Sequence, residues 1–192
     1  MINIQTFTQK EIVAYLDDLA QLRISVFREY PYLYDGSLVY EKEYLQTFVK
    51  AEDGIVVAAF DGDQVVGIST GLPLAQEPDE VIGPWKAHDV DRIFYFSESV
   101  LAKAYRGQGI GVQFFQEREA WARKLGFTQA VFCGVVRPDD HPLKPADYLP
   151  LDRFWQKRGY AKKEGYFAKM SWLDRGEAEE TTKVLQYWWK AL

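Results

Sequence analysis

The feature that most constrains this chain is a short glycine-rich stretch, residues 106–111, which reads Arg-Gly-Gln-Gly-Ile-Gly. Residues 92–103 before it are rich in Phe, Tyr, Ile, Val and Leu, which predicts a buried strand. Residues 110–125 after it carry apolar side chains at helical spacing, which predicts a helix. The first amides of a helix have no intrahelical partners and lie at the positive end of its dipole. A strand, a glycine turn and a helix in this order therefore indicate a phosphate-binding site.

The spacing of the glycines decides between the known phosphate motifs. A P-loop requires Gly-Lys-Ser/Thr after four spacer residues, and no Lys-Ser or Lys-Thr pair follows these glycines. The dinucleotide fingerprint GxGxxG, counted from Gly107, is broken because its third glycine position is Val112. The pattern that fits is Arg-x-x-Gly-x-Gly, formed by Arg106, Gly109 and Gly111.

This pattern resembles the pyrophosphate loop of the GNAT superfamily of acyl-CoA-dependent N-acyltransferases. The surrounding sequence, FSESVLAKAYRGQGIGVQFFQEREAWARKLGF, also resembles the central motif of that family, with an apolar strand, the loop, a long helix and a Gly-Phe exit. Residues 154–160, FWQKRGY, resemble a second landmark, a helix that ends in an aromatic pair followed by Gly and an aromatic residue. The resemblance covers roughly residues 2–172 and implies acetyl-CoA as co-substrate.

Length and composition narrow the class of protein. A chain of 192 residues predicts a single domain, residues 1–192, to which a C-terminal helix at about 177–192 is appended. The net charge of −5 and the absence of a basic tract disfavour nucleic-acid binding. No apolar run approaches ~20 residues and no signal peptide is recognised, so we expect a cytoplasmic protein without a membrane span. The single cysteine and two histidines lack metal-ligand spacing, so no metal is predicted.

The order of predicted elements is β α α β β β α β α β α, in which residues 55–60 and 64–72 form a hairpin. This order predicts an α/β fold with a mixed sheet and helices on both faces. The family resemblance adds that the sheet is mostly antiparallel and that its central strand pair is splayed. In the resemblance the acyl-CoA lies in that splay, between the strand around 98–103 and the strand at 129–135.

The resemblance also assigns residues to the cofactor. The pantetheine arm pairs with the backbone of the central strand, and the pyrophosphate meets the amides of the glycine loop. The implied cofactor-binding residues are Leu101, Ala102, Arg106, Gly107, Gln108, Gly109, Ile110 and Gly111.

Amide formation requires a neutral amine, although a free alkylamine is protonated at pH 7. Glu98 is the predicted base, because an acid inside an otherwise apolar strand is rare unless it is paired or functional. Burial would raise the pKa of this carboxyl toward a value useful for a base. The alternatives are a solvent-facing side chain or a structural pair with an arginine, and His141 is a second candidate base.

The proton donor for the departing thiolate is harder to identify. Many family members carry a tyrosine as the second residue of the aromatic pair, where this chain has Trp155, and an indole cannot donate a proton to a thiolate. We expect Tyr148 to take this role, with Tyr160, Cys133 and solvent as the other sources. Cys133 lacks a clear histidine partner, which disfavours a covalent enzyme intermediate and favours direct attack.

In the resemblance the loop between the first two helices forms a wall of the acceptor site. Tyrosines offer flat apolar walls with polar tips, and an aspartate can hold an ammonium. The predicted substrate-binding residues of this loop are Tyr30, Tyr32, Tyr34 and Asp35.

The sequence therefore predicts an N-acetyltransferase that acts on a small-molecule or peptide amine. A binding module that keeps the CoA site but has lost turnover is the alternative, supported by the tryptophan at the usual tyrosine position. A relative that uses another activated carrier, such as aminoacyl or succinyl, is a third. Trp188 and Trp189 near the C-terminus either cap the domain or form a homodimer contact.

Overall fold

The computed structural model describes residues 1–192, apart from the side chains of Gln9 and Lys10. Seven strands form one sheet: β1 (Ile2–Phe7), β2 (Ile55–Asp61), β3 (Gln64–Pro73), β4 (Ile93–Leu101), β5 (Gln129–Val135), β6 (Ala161–Leu173) and β7 (Glu180–Ala191). Their order is β1-β2-β3-β4-β5-β7-β6. Neighbouring strands are antiparallel, except that β4 and β5 are parallel. The predicted mixed, mostly antiparallel sheet is confirmed.

The helices cover both faces of the sheet, as predicted. They are α1 (Leu16–Phe27), α2 (Leu38–Lys50), α3 (Asp79–Ile82), α4 (Ile110–Lys124) and α5 (Asp152–Gln156). Helices α1 and α2 bury apolar side chains against β2 and β3, and α4 packs on the opposite face against β2, β4 and β5. The helix predicted from residue 11 onward begins instead as a 3-10 helix, Gln9–Tyr15, which Thr8 and Glu11 cap reciprocally. Among the described residues, no helix combines the length and apolar character that a bilayer span requires.

The prediction of a C-terminal helix at about 177–192 is wrong, because this segment forms strand β7. It inserts between β5 and β6 and pairs antiparallel with both. Leu185, Trp188, Trp189 and Leu192 fit a helical period, but the segment is also rich in Thr, Val, Tyr and Trp, which favour a strand. Because the segment can hydrogen-bond to strands on both sides, the strand is favoured over the helix that the ambiguous periodicity also allows. Trp188 is buried on its own chain, with its ring stacked 6.3 Å from that of Phe132.

The central strands β4 and β5 are neighbours in the sheet but pair along only part of their length. Strand β4 pairs with β5 only from Ile93–Tyr95, opposite residues 129–131, although both strands continue further. Beyond Tyr95 and Val131 the strands diverge, which confirms the predicted splay. The gap exposes backbone edges on two strands that would otherwise bond to each other.

A β-bulge lies at the point where β4 leaves β5. Thr70 of β3 opposes Glu98 and Leu72 opposes Tyr95, so two residues of β4 stand against one of β3. The extra residue breaks the usual alternation of side chains. Phe96 packs on the α4 face, whereas its two successors Ser97 and Glu98 both make contacts on the opposite face.

Candidate functional site

The glycine loop connects the end of β4 to the start of α4 through two left-handed residues. Gly107 has φ +78° and Gly109 has φ +85°, conformations that other L residues rarely adopt, and a Cβ at either position would meet no atom within 4 Å. Gly111 is required for another reason, since a Cβ there would lie 3.3 Å from the ring of Phe154 in α5. The loop is therefore shaped so that backbone, not side chains, faces the space before α4.

The amides of this loop are available to a ligand. Gly109 caps α4, and its carbonyl accepts hydrogen bonds from Val112 and Gln113, at 3.0 and 3.2 Å. Within the part of the chain that the structure describes, no backbone carbonyl outside regular elements accepts from the amides of residues 107–111. Five consecutive amides at the positive end of a 15-residue helix form a site that fits a pyrophosphate.

Side chains hold the loop from behind. The guanidinium of Arg106 donates to the carbonyl of Leu101 at 3.0 Å and to the carboxylate of Glu29 at 2.8 Å. The amide of Gln108 donates to the carbonyl of Ala104 at 3.1 Å. The structure thus brings all eight predicted cofactor residues together at the end of β4 and the start of α4. Arg106 therefore has structural contacts with Leu101 and Glu29, in addition to any role in binding phosphate.

Glu98 lies in a buried ion cluster on the α1–α2 face. The guanidinium of Arg23, from α1, contacts the carboxylates of both Glu98 and Glu41, and all three side chains are at least nine-tenths buried. Arg23 also lies over the ring of Tyr44, 4.3 Å from its centroid. One guanidinium thus serves two buried carboxylates and fixes the Glu98 side chain in place. Among the described side chains, none donates a hydrogen bond to its second oxygen, Oε1, which is buried.

A second buried arginine supports the bulge from the α4 face. Arg118 donates to the carbonyls of Thr70 and Glu98, at 3.2 and 3.3 Å, on the two strands that flank the register shift. Its guanidinium lies over the ring of Phe96 at 4.2 Å. Burial lowers the pKa of this group to about 9, so it remains charged at neutral pH. Arg118 therefore fixes the bulge from the α4 face.

One further acidic residue of this region, Glu77, could not be recognised from the sequence. It follows β3 in the segment that crosses back to β4, and it accepts a hydrogen bond from the hydroxyl of Ser97 at 3.2 Å. Burial raises the pKa of its carboxyl from 4.5 to about 7, and the hydrogen bond from Ser97 offsets part of that rise. Glu77 thus lies one hydrogen bond from the bulge and titrates in the range useful for a base. In the sequence, Glu77 lies in a segment that contains three prolines, a glycine and two further acids, Asp79 and Glu80. No feature of the sequence distinguishes Glu77 from these two acids.

The tyrosine-rich connection between α1 and α2 lies near the Arg23 ion cluster. Arg137, which follows β5, holds this connection in place. Arg137 donates to the carbonyls of Pro31 and Tyr32, at 2.8 and 2.7 Å, and forms a buried bidentate pair with Asp174. Tyr32 is enclosed, and burial followed by the neighbouring Cys133 and Tyr148 holds the pKa of its phenol above its usual range. The tyrosine wall is therefore fixed in place by backbone contacts as well as by packing.

The remaining predicted acceptor residues are distributed unevenly. Tyr30 meets Tyr148 edge-to-face at 4.7 Å and His141 at 5.7 Å, so the loop at 137–150 folds over the tyrosine connection. Tyr34 is half-buried beside the Arg23 cluster. Asp35 lies apart from them, in an exposed ion pair with Arg28.

The other candidate proton donors face different surroundings. Burial raises the pKa of the Cys133 thiol to about 12, and its sulfur lies 3.1 Å from the hydroxyl of Tyr95. Tyr160 is buried on the α4 face, where its hydroxyl donates to Glu119 at 3.1 Å. Trp155 packs against Trp188 with ring centroids 5.0 Å apart. Cys133 is therefore protonated at neutral pH, and Tyr160 and Trp155 serve the core of the α4 face.

Two open depressions lie outside this cluster. One, of about 360 Å³, adjoins Ala102 between α1 and the β2–β3 turn. The other, of about 600 Å³, lies beside Arg137, Asp174 and Lys183. Neither includes Glu77, Ser97 or Glu98. The splay beyond Tyr95, rather than a depression, is the opening nearest to these residues.

Comparison with known proteins agrees with this geometry. The fold matches ribosomal-protein-alanine N-acetyltransferase from Brucella melitensis with a TM-score of 0.65 and 16% identity, over 99% of each chain. It also matches the PaiA N-acetyltransferase from Thermoplasma acidophilum in complex with coenzyme A, with a TM-score of 0.62 and 14% identity, over 100% of this chain and 99% of that one. A GNAT-family acetyltransferase from Staphylococcus aureus Mu50 gives a TM-score of 0.64 at 12% identity, over 100% and 99% of the two chains. No curated protein sequence matches the chain significantly.

The sequence profile described as the acetyltransferase (GNAT) family matches residues 16–160, which span the α1–α2 region, the glycine loop, the splay and α5. This match covers most of the chain and includes every element that forms the site. The chain therefore belongs to the GNAT acetyltransferase family, a family of acyl-CoA-dependent N-acyltransferase enzymes.

Proposed function

We propose that the protein transfers an acetyl group from acetyl-CoA directly to an amine acceptor. The observation that carries this proposal is the junction of the β4–β5 splay with the glycine loop, where free amides and an open strand edge meet. The amides of residues 107–111 fit a pyrophosphate. The edge of β4 beyond its pairing with β5, up to Leu101, fits the arm that leads into the splay, whereas the amide of Ala102 already donates to the carbonyl of Val66 at 2.9 Å. Bound acetyl-CoA supplies an activated acyl carbonyl for attack by nitrogen.

Direct attack is supported by the environment of the nearest nucleophile. The thiol of Cys133 is half-buried, and burial raises its pKa to about 12, which keeps it protonated at neutral pH. Among the described residues the hydrogen-bond partner of its sulfur is the hydroxyl of Tyr95, which is no base, and the carboxyl of Glu77 makes no hydrogen bond to it. A covalent acyl-enzyme would need a thiolate at this position, so the acceptor nitrogen itself is the expected nucleophile.

Within this scheme Glu98 binds and orients the amine. Its carboxylate is paired with Arg23, and its buried Oε1 lacks a donor among the described side chains, so an ammonium would complete its hydrogen bonds. Tyr32 and Tyr34 form the adjoining wall of the acceptor site. Tyr30 packs against Tyr148 and so contacts the loop at 137–150. Tyr148, half-buried with its pKa raised by burial, is the proposed source of the proton that the departing thiol takes up.

A CoA-binding module without turnover is the second candidate function. The specific observation in its favour is Trp155, which stands where many family members carry a tyrosine and whose ring fills the space above Gly134. The two candidates share the cofactor loop and differ only in the chemistry beyond it. Binding alone therefore does not separate them, whereas turnover does.

A thiol-release assay with acetyl-CoA tests the proposal. The purified protein is incubated with a panel of alkylamines, amino acids and peptides with free N-termini, and acetyl-CoA affinity is measured in parallel by calorimetry. We expect thiol release that depends on at least one class of amine. Calorimetric binding without release from any amine supports the non-catalytic module, and no binding at millimolar acetyl-CoA contradicts both.

A further inference from the structure

The bulge in β4 brings two acidic side chains to one face of the sheet. Ser97 and Glu98 are consecutive, and each contacts a partner on that face: Ser97 donates to Glu77, and Glu98 pairs with Arg23. In an unbroken strand the two side chains would point to opposite faces. The bulge therefore brings the contacts of Glu77 and Glu98 to consecutive residues of β4, just beyond Tyr95, where its pairing with β5 ends.

The two carboxyls differ in their electrostatic surroundings. Glu98 has the guanidinium of Arg23 against it, which it shares with Glu41. Glu77 has no arginine or lysine partner within the described part of the chain, and its one hydrogen-bond donor is the neutral hydroxyl of Ser97. An anchor for an ammonium must stay ionised, whereas a proton acceptor must be able to take up the proton. The surroundings suit Glu98 to the first task and Glu77 to the second.

Four other titratable groups lie close enough to Glu77 to interact with its charge. They are Tyr44 from α2, Tyr95 from β4, Cys133 from β5 and Tyr187 from β7. Burial raises the pKa of each of these groups, so all four are neutral at pH 7. Glu77 is thus a desolvated carboxyl among neutral polar groups, and an ammonium that enters the splay is the cation it lacks.

We propose that Glu77 is the proton acceptor of the transfer reaction, and that Glu98 serves as the fixed anchor for the acceptor nitrogen. This role rests on the proposed acetyl transfer. An ammonium R–NH₃⁺ gives one proton to the Glu77 carboxylate and becomes a neutral amine. The amine nitrogen bonds to the thioester carbonyl carbon, the carbon–sulfur bond breaks, and a second proton from nitrogen accounts for the one gained by the thiol. Glu77 then returns its proton to solvent.

The proposal also limits the class of acceptor. Two carboxyls on one face, of which only Glu98 is paired, favour an amine that is cationic before it reacts. Primary alkylamines meet this requirement, whereas arylamines are already neutral at pH 7 and need no proton acceptor before attack. Loss of Glu77 should therefore affect alkylamines far more than arylamines.

The test compares the wild-type enzyme with Glu77→Gln, Glu98→Gln and Ser97→Ala. Glu80→Gln is the matched control, because Glu80 is an exposed glutamate three residues further along the same segment. Rates are measured from pH 5.5 to 9.5 with the best alkylamine of the panel, and acetyl-CoA affinity is measured by calorimetry. The full-length protein labelled at glutamate side-chain carboxyls is titrated by carbon NMR, which needs no acceptor.

For Glu77→Gln we expect kcat/KM at pH 8 to fall by about 100-fold, with unchanged acetyl-CoA affinity and loss of the acidic limb of the pH profile. Ser97→Ala should move that limb to higher pH, since it removes the donor that stabilises the charged carboxylate. Glu98→Gln should raise KM and leave the limb in place. In the NMR titration one carboxyl signal with a midpoint near pH 7 should be absent from Glu77→Gln.

Two outcomes overturn the role of Glu77. One is a wild-type acidic limb that Glu77→Gln retains, and the other is a Glu77 signal that titrates below pH 5. Failure of every amine to release thiol removes the acetyl-transfer function, and the role with it. Thiol release that Glu77→Gln and Glu80→Gln leave equally intact removes the role alone.

Discussion

Replacement of Gly109 by valine is expected to weaken acetyl-CoA binding by roughly 1,000-fold, through loss of about two charge-assisted hydrogen bonds worth some 2 kcal/mol each. Gly109 has φ +85°, which a β-branched residue avoids, so the loop must rearrange. The new side chain would also occupy the space before α4, where a Cβ now meets nothing within 4 Å. Calorimetry with acetyl-CoA and with CoA measures the loss directly.

Gly126→Val is the matched control for this substitution. Gly126 follows α4 at its other end, has φ +90°, and likewise leaves open space around a Cβ. Both variants therefore carry similar backbone strain, but only one of them alters the loop. We expect similar losses of thermal stability and a loss of binding confined to Gly109→Val. Equal affinities in the two variants would remove the glycine loop from the cofactor site.

Arg23→Met is expected to lower the free energy of unfolding by about 3–5 kcal/mol, because it leaves two buried carboxylates facing each other without a cation. Methionine keeps an apolar side chain of similar length, but the guanidinium that lies over the rings of Phe27 and Tyr44 is lost, so the change includes these cation–π contacts. At about 2–4 °C per kcal/mol for a chain of this size, the melting temperature should fall by roughly 10 °C. Denaturant unfolding and thermal melts give the two values independently.

Lys42→Met provides the control within the same pair of helices. Lys42 of α2 pairs with Asp17 of α1 at 2.7 Å, but both side chains are well exposed, so the expected cost is below about 1 kcal/mol. Adding Glu41→Gln and Glu98→Gln to Arg23→Met should recover much of its loss, since neutral groups tolerate burial without the guanidinium. A cost for Arg23→Met no larger than that of Lys42→Met would mean that the cluster contributes little to stability.

The parts of the site that follow from local sequence could be predicted. The strand, the glycine loop and α4 are contiguous, so their composition and spacing determine their structure and their relation to one another. The unusual acid Glu98 could also be recognised, because it interrupts an apolar strand. Its pairing with an arginine was one of the alternatives, but a partner 75 positions earlier, at Arg23, requires knowledge of how α1 packs on the sheet.

The parts of the site that depend on contacts between segments distant in the sequence could not be predicted. Glu77 is one of several acids in a polar crossing segment, and only the approach of that segment to the bulge brings it against Ser97 and makes it half-buried. The bulge has no sequence signature, although it decides that Ser97 and Glu98 share a face. At the C-terminus, residues 180–191 fit a helical period, and the choice of strand comes from two neighbouring strands that the local pattern does not contain.

The enclosure of Glu77 has a consequence for the protein's resistance to unfolding. In the folded protein its pKa is about 7, against 4.5 for a solvated glutamate, so the folded state binds more protons between these values. Stability should therefore decline as the pH rises through this window, by at most about 3.5 kcal/mol at about 1.4 kcal/mol per pH unit. Glu77→Gln lacks this titration and should unfold at higher denaturant than wild type at pH 8, with the advantage gone near pH 4. Under the proposed chemistry, the enzyme reacts fastest above the pKa of Glu77, which is also the pH range in which its folded state is least stable. Selection for thermal stability alone would therefore favour variants that have lost Glu77.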